Sequence, residues 1–248
     1  MVHLPTYGGF SYFEQPNEAE LQRYNEARLF RLCNKIVAPS HFAADLISRT
    51  HNVVPRDIFV VHPGVESRIA TENRRDSPNR PLQVVWHGRF ALQKGLHELV
   101  EVIGALRPES CDVFVAGRSL ENRHLNLLST ISAKFLGQLS VNEIDQLLVR
   151  ADVILSTSLH ETFGFSVLEG MAAGAVPVAF DVGSLSELIT NRVSGVLVSP
   201  IEPISMARQL EQLNEDRESL RRMSAVAKLV ASEFTWDRHV DLLKRVIE

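Results

Sequence analysis

From Leu82 to Val198 short apolar runs alternate with amphipathic segments, and this alternation constrains the fold more than any other feature. The strand-like runs lie at 84–86, 112–116, 134–136, 153–156, 176–180 and 196–198. Helical patterns fall between them at 94–106, 122–131, 142–150, 165–173 and 184–190, and three more close the chain near 202–213, 216–232 and 236–247. Such alternation predicts an α/β domain, with a parallel sheet covered by helices on both faces.

Residues 1–66 read as a shorter piece of similar kind. A helix is expected at 18–32 and a strand at 36–38, followed by a helix capped by Ser40 and running to about Thr50. A second strand, 58–62, closes at Pro63-Gly64. The stretch 71–81 (TENRRDSPNRP) has no large apolar residue and reads as a linker. The expected division is therefore a partial domain at 1–70, a linker at 71–81, a larger domain at 82–232 and a terminal helix at 233–248.

Two strand-to-helix loops carry charge. After the strand at 84–86 comes His87-Gly88-Arg89-Phe90, then Gln93-Lys94-Gly95. A cation pair on a loop with nearby glycines suits a diphosphate, because Arg can fork two oxygens and Lys acts as a point charge. After the strand at 153–156 comes Glu161-Thr-Phe-Gly-Phe-Ser-Val-Leu-Glu169. Its carboxylates can accept from hydroxyl groups, and the helix that opens at Phe165 offers unpaired N–H groups to an anion. Either pair, taken alone, could equally be solvated surface charge. Their recurrence on two loops at one sheet edge favours a shared ligand.

Composition limits the alternatives. With 248 residues and 45% hydrophobic content, the chain can bury a substantial core. A net charge of −4 argues against a general nucleic-acid binder. Cys33 and Cys111 stand far apart in apolar surroundings, and read as buried free thiols in a reducing compartment. No apolar run reaches the roughly 18 residues of a membrane span, and Met1-Val2-His3-Leu4-Pro5-Thr6 does not read as a signal peptide. A cytoplasmic location, free or peripheral to a membrane, is expected. No histidine pair has metal-ligand spacing, and there is no close Asp-x-Asp pair.

The ordered set Gly88-Arg89…Lys94-Gly95, Phe135-Leu136-Gly137 and Glu161…Glu169 resembles the donor-binding half of GT-B glycosyltransferases. It is most similar to the retaining, nucleotide-sugar-dependent group called family four. The resemblance runs from about Val37 to the C-terminus and implies a role for each matching residue. Arg89 and Lys94 would hold the donor diphosphate and stabilise the charge that builds as the sugar leaves. Glu169 would accept from the ribose and Glu161 from the donor sugar. Backbone N–H groups of Gly164, Phe165 and Ser166 would face the sugar or phosphates, with Phe163 inside the same loop. Leu139 and the Gly117-Arg118 turn would lie beside the nucleobase. No metal or other cofactor is expected, because the cation pair takes that role.

The chain also departs from the family. The first strands of the N-terminal domain and its Gly-rich loop have no counterpart here. A truncated or split enzyme is therefore expected, with exposed apolar surface at 36–38, 58–61 and 238–247, completed by a partner chain or by self-association. His3 stands roughly where the family places a histidine near the transferred sugar, although a residue so near the terminus can also be an ordinary chain end. His160 and His87 are the other histidines near the motifs. The usual Gly-Gly before a late helix is Val182-Gly183 here, followed by Ser184 and Glu187. The expected partners are a nucleotide sugar and a glycan, lipid or small-molecule acceptor, with no nucleic acid. A nucleotide-sugar-binding module without turnover is the alternative. An epimerase or phosphorylase of the same fold fits less well, because the needed acid-base or cofactor-binding residues are missing.

Overall fold

The computed structural model describes residues 25–30, 32–66, 80–118, 126–129 and 131–248. Among them are two parallel sheets. The smaller pairs β1 (Ile36–Ala38) with β2 (Ile58–Val60). Between these strands runs α1 (His41–His51), whose N-cap Ser40 accepts from the Ala43 N–H through its side chain. The helix ends at Asn52 in a left-handed conformation, φ 53°, which Asn tolerates better than most residues. The expected strand at 58–62 stops at Val60, because its partner strand ends opposite it at Ala38.

The larger sheet contains β3 (Leu82–His87), β4 (Cys111–Ala116), β5 (Lys134–Gly137), β6 (Val153–Ser156), β7 (Val176–Phe180) and β8 (Val196–Val198). Their spatial order is β5-β4-β3-β6-β7-β8, with every neighbouring pair parallel. The chain steps outward from β3 to β4 and β5. It then returns to β6 on the other side of β3 and steps outward again. The winding therefore reverses between β3 and β6, and in open α/β sheets a crevice at such a switch point takes the ligand.

Helices fully within the described residues that accompany this sheet are α2 (Leu96–Ala105), α3 (Val141–Arg150), α4 (Phe165–Ala172), α5 (Leu185–Leu188), α6 (Pro203–Glu215), α7 (Arg217–Ala231) and α8 (Trp236–Ile247). Side chains alternate across a strand, and β3 shows how the two faces are filled. Leu82, Val84 and Trp86 join a buried cluster with Leu96, Leu99, Val102 and Ile103 of α2 and Met206 and Leu210 of α6. Val85 points the other way, to Ile154, Leu148 of α3 and Ala173.

Most boundaries expected from the sequence agree within two residues. The helix expected at 184–190 is shorter. Ile189 turns to φ −112° and ψ 116°, and the Thr190 N–H donates to the Ser194 hydroxyl at 2.9 Å instead of continuing the helix. Of the helix expected at 122–131, residues 126–128 are helical, while 121–125 and 130 lie outside the described residues. Within the expected helix 18–32, residues 25–30 and 32 are helical. Most of the linker, 71–79, also lies outside the described residues.

Two expectations need correction. Ile36, Ala38 and Val61 are not exposed: each is at most 2% accessible, because Phe30 and the Ala43–Ile47 face of α1 cover the small sheet. On α8, Val246 is buried, whereas Val240 and Ile247 are exposed. The two cysteines are free but only half-buried. Burial still pushes the Cys111 thiol up to about 11.

The small sheet is joined to the large one through several contacts. The Ser40 hydroxyl donates to the Thr162 carbonyl at 2.6 Å. The Glu187 carboxylate accepts from the N–H groups of His41 and Phe42 at 2.9 and 2.7 Å, where the dipole of α1 favours a negative charge. The Val65 N–H donates to the Phe234 carbonyl at 2.8 Å. Lys35 Nζ donates to the Val246 carbonyl near the end of α8.

Candidate functional site

Both charged loops leave the carboxyl ends of adjacent central strands. The Gly88–Gly95 loop follows β3, and the Thr157–Gly164 loop follows β6. Backbone contacts stitch them together. The Leu159 N–H donates to the Gln93 carbonyl at 3.0 Å, and the Thr157 hydroxyl donates to the Lys94 carbonyl, also at 3.0 Å. Trp86 Nε1 donates to the same Thr157 oxygen from the buried side. Gly95 makes this approach possible. Its φ is +69°, and an added Cβ would come within 1.7 Å of the Thr157 carbonyl oxygen.

The loops bring two expected residues into direct contact. Lys94 Nζ lies 2.6 Å from Glu161 Oε2, with side-chain exposures of 23% and 12%. The Ser158 hydroxyl donates to the same carboxylate oxygen at 3.3 Å. Glu169, in the second turn of α4, meets β3 instead: His87 Nε2 stands 3.4 Å from Glu169 Oε2. Two of the four charged groups of the motifs, Lys94 and Glu161, are thus in direct contact, while Glu169 pairs with the end of β3. Arg89 is exposed on the loop that follows β3.

Phe163 is buried and packs against the half-exposed Phe165, their ring centroids 5.1 Å apart. Gly164 is the N-cap of α4, so the first-turn N–H groups, including those of Phe165 and Ser166, open toward the loop. Gly183 retains one glycine of the altered pair, and the geometry shows why. Its φ is +59°, and an added Cβ would meet the Glu161 carbonyl oxygen at 1.9 Å. The Ser184 N–H and hydroxyl donate to that same carbonyl at 3.0 and 3.3 Å.

The remaining expected residues are placed differently. The Arg118 side chain is exposed, and its carbonyl accepts from the Phe90 N–H at 3.0 Å. Leu139 lines a cavity of about 690 Å³ that runs along β3 and β4 under α3, with Val85, Phe114 and Leu147 among its walls. His3 lies outside the described residues. His160 is half-buried with its ring 5.7 Å from Phe42. Burial holds its pKa below the ordinary value, Glu161 opposes that shift and Lys94 adds to it.

Ser158 and Thr157 were missed as site-framing residues. They form a polar pair directly after the apolar β6, at a carboxyl end where polar side chains signal a loop facing ligand. Glu187, singled out with the Val182-Gly183 turn, accepts from His41 and Phe42, partners remote in sequence that no local signal identifies. Asp152 was missed for a similar reason. It is 3% accessible and accepts a forked pair of bonds from Arg80 at 2.6 and 2.8 Å, with Arg217 3.5 Å away. This cluster ties the entry of the large domain to α7 at the edge opposite the crevice.

Among the described residues no group of three or more His, Cys, Asp or Glu side chains could hold a metal ion. No helix among them is long and apolar enough to cross a membrane.

A doubly wound sheet with charged loops at its switch point, docked to a second Rossmann-like element, defines a GT-B-type α/β protein. The chain belongs to the glycosyl transferases group 1 family, whose profile matches residues 68–230. It is 31% identical over 231 residues to a D-inositol 3-phosphate glycosyltransferase of Salinispora tropica, covering 81% of this chain and 48% of that protein. It is 26% identical to a glycogen synthase of Mycobacterium tuberculosis, covering 85% and 53%. Anabaena HepE in complex with UDP-glucose superposes with a TM-score of 0.79 at 20% identity, covering 99% of this chain and 70% of that one. The chain spans about half the length of the curated relatives it matches.

Proposed function

We propose that this chain carries the donor site of a retaining glycosyltransferase that uses a nucleotide-diphosphate sugar. The observation that carries this reading is the contact between Lys94 and Glu161, which joins the loops that leave β3 and β6 at the switch point. Family membership supports it, as does the likeness of the fold to a protein solved with UDP-glucose.

In this reading Arg89 and Lys94 grip the diphosphate and neutralise the charge that develops on it as the glycosidic bond breaks. No metal is required for that role. Glu161 turns from Lys94 to the sugar hydroxyls, and Glu169 accepts from the ribose. The first-turn N–H groups of α4 add partial positive charge beside the same anion. Leu139 and the Gly117-Arg118 turn lie beside the base in this reading. Retention of configuration comes with the resemblance to family four. The acceptor is a glycan, lipid or small molecule, and the protein acts in the cytoplasm, free or at a membrane surface.

Calorimetry with UDP, GDP and ADP on the parent chain, Arg89→Ala and Lys94→Ala tests the site. Each substitution should weaken the preferred nucleotide at least tenfold, as expected for a charge-assisted bond worth roughly 1.5–3 kcal/mol. If both variants bind like the parent, the pocket is misassigned.

A further inference from the structure

His87 has no role in the reading above, yet the fold places it against one of that reading's principal residues. It is the last residue of β3, directly before Gly88-Arg89. Its Nε2 stands 3.4 Å from Glu169 Oε2, and its side chain is only 12% exposed, whereas that of Glu169 is 30% exposed. Glu169 is therefore partly exposed and has a mostly buried neighbour on the strand side.

A glutamate on a helix has three side-chain torsions to fix before its carboxylate can accept two hydroxyls at once. Freezing those torsions costs free energy when the ligand arrives, unless a neighbour has already restricted them. A carboxylate offers about four lone-pair sites, so one partner at Oε2 does not exhaust its capacity to accept. An imidazole on the rigid end of a central strand is well suited to that restriction, since β3 is paired on both sides.

We infer that His87 is a positioning residue for Glu169, holding its carboxylate in the orientation that accepts from the ribose hydroxyls of the donor nucleotide. The inference rests on the assignment of Glu169 to the ribose. A histidine that merely packed the end of β3 would influence ribose and deoxyribose ligands alike. One that orients Glu169 acts only through the hydroxyls.

The test is calorimetry on the full chain with UDP, GDP and ADP and with their 2′,3′-dideoxy counterparts. The parent should prefer the ribose form of its best nucleotide by at least tenfold. Glu169→Ala should remove that preference. His87→Ala should reduce it to under threefold while leaving dideoxy affinity within twofold. His87→Gln, whose amide nitrogen falls near the Nε2 position, should restore part of it and guards against a folding defect in the alanine variant. Loss of preference in Glu169→Ala but not in His87→Ala overturns the role of His87 and leaves the ribose assignment standing. An equal loss for both ligand forms in His87→Ala and His87→Gln also overturns it, in favour of a structural role. A preference that survives Glu169→Ala, or that the parent lacks, overturns the ribose assignment and this inference with it.

Discussion

Lys94 and Glu161 hold each other at 2.6 Å across the β3–β6 switch point. The two residues belong to different loops and are expected to serve different parts of the donor, the diphosphate and the sugar. Before a ligand arrives, each neutralises the other in a partly buried crevice, where an unpaired charge is costly. In the proposed reading, ligand binding is an exchange of partners: phosphate replaces Glu161 at Lys94, and sugar hydroxyls replace Lys94 at Glu161.

That exchange separates the effects of the two residues. Lys94→Ala should weaken nucleoside diphosphates at least tenfold. Glu161→Ala should leave their affinity unchanged or raise it, because Lys94 is released, while lowering the preference for nucleotide sugar over bare nucleotide. Isothermal titration with both ligand forms reads the split. Equal losses for nucleotide and nucleotide sugar in Glu161→Ala would contradict the assignment.

Asp152 should matter to stability and not to binding. It is buried between Arg80 and Arg217 at the edge opposite the crevice. Removing one partner of a buried ion pair leaves uncompensated charge and costs about 3–5 kcal/mol. Urea denaturation of Asp152→Ala should show a loss of this size. Nucleotide affinity of the folded fraction should stay within twofold of the parent.

Glu187 should control how firmly the small sheet rests on the large one. Its carboxylate takes the first N–H groups of α1. Loss of those contacts in Glu187→Ala should cost about 1–2 kcal/mol, given their partial exposure. Amide hydrogen exchange should accelerate in α1 while β3, β6 and β7 keep their protection. Unchanged exchange in α1 would show that the Ser40–Thr162 contact suffices by itself.

His160 sets a direction for pH dependence. Its folded pKa lies below the ordinary value of 6.5, chiefly because burial disfavours the imidazolium. Above that value both folded and unfolded states are neutral at this position and no stability is lost. As pH falls below it, the unfolded chain takes up the proton first, so stability declines. Denaturation midpoints at several pH values should fall more steeply below pH 6.5 in the parent than in His160→Asn.

Much of the fold was legible because its signals are local. Ser40 as a cap, and strands 36–38, 153–156, 176–180 and 196–198, follow from hydrophobic period and cap chemistry within a few residues. The motif order also carried the family. The burial of β1 was misjudged because its cover, Phe30 and α1, comes from an amphipathic face whose direction depends on packing. The shortened α5 escaped notice because the Ser194 hydroxyl that diverts Thr190 becomes a neighbour only after the following turn has formed.

The sequence by itself determined that strands and helices alternate, that they form a parallel sheet, and that two loops carry the Arg-Lys and Glu-Glu pairs. Tertiary structure alone decided that β3 and β6 are neighbours, that Lys94 meets Glu161, and that His87 meets Glu169. Periodicity reports which face of an element is buried but not which element buries it. Strand order and inter-loop contacts depend on pairing between segments about 70 residues apart, and only the packed sheet brings them together.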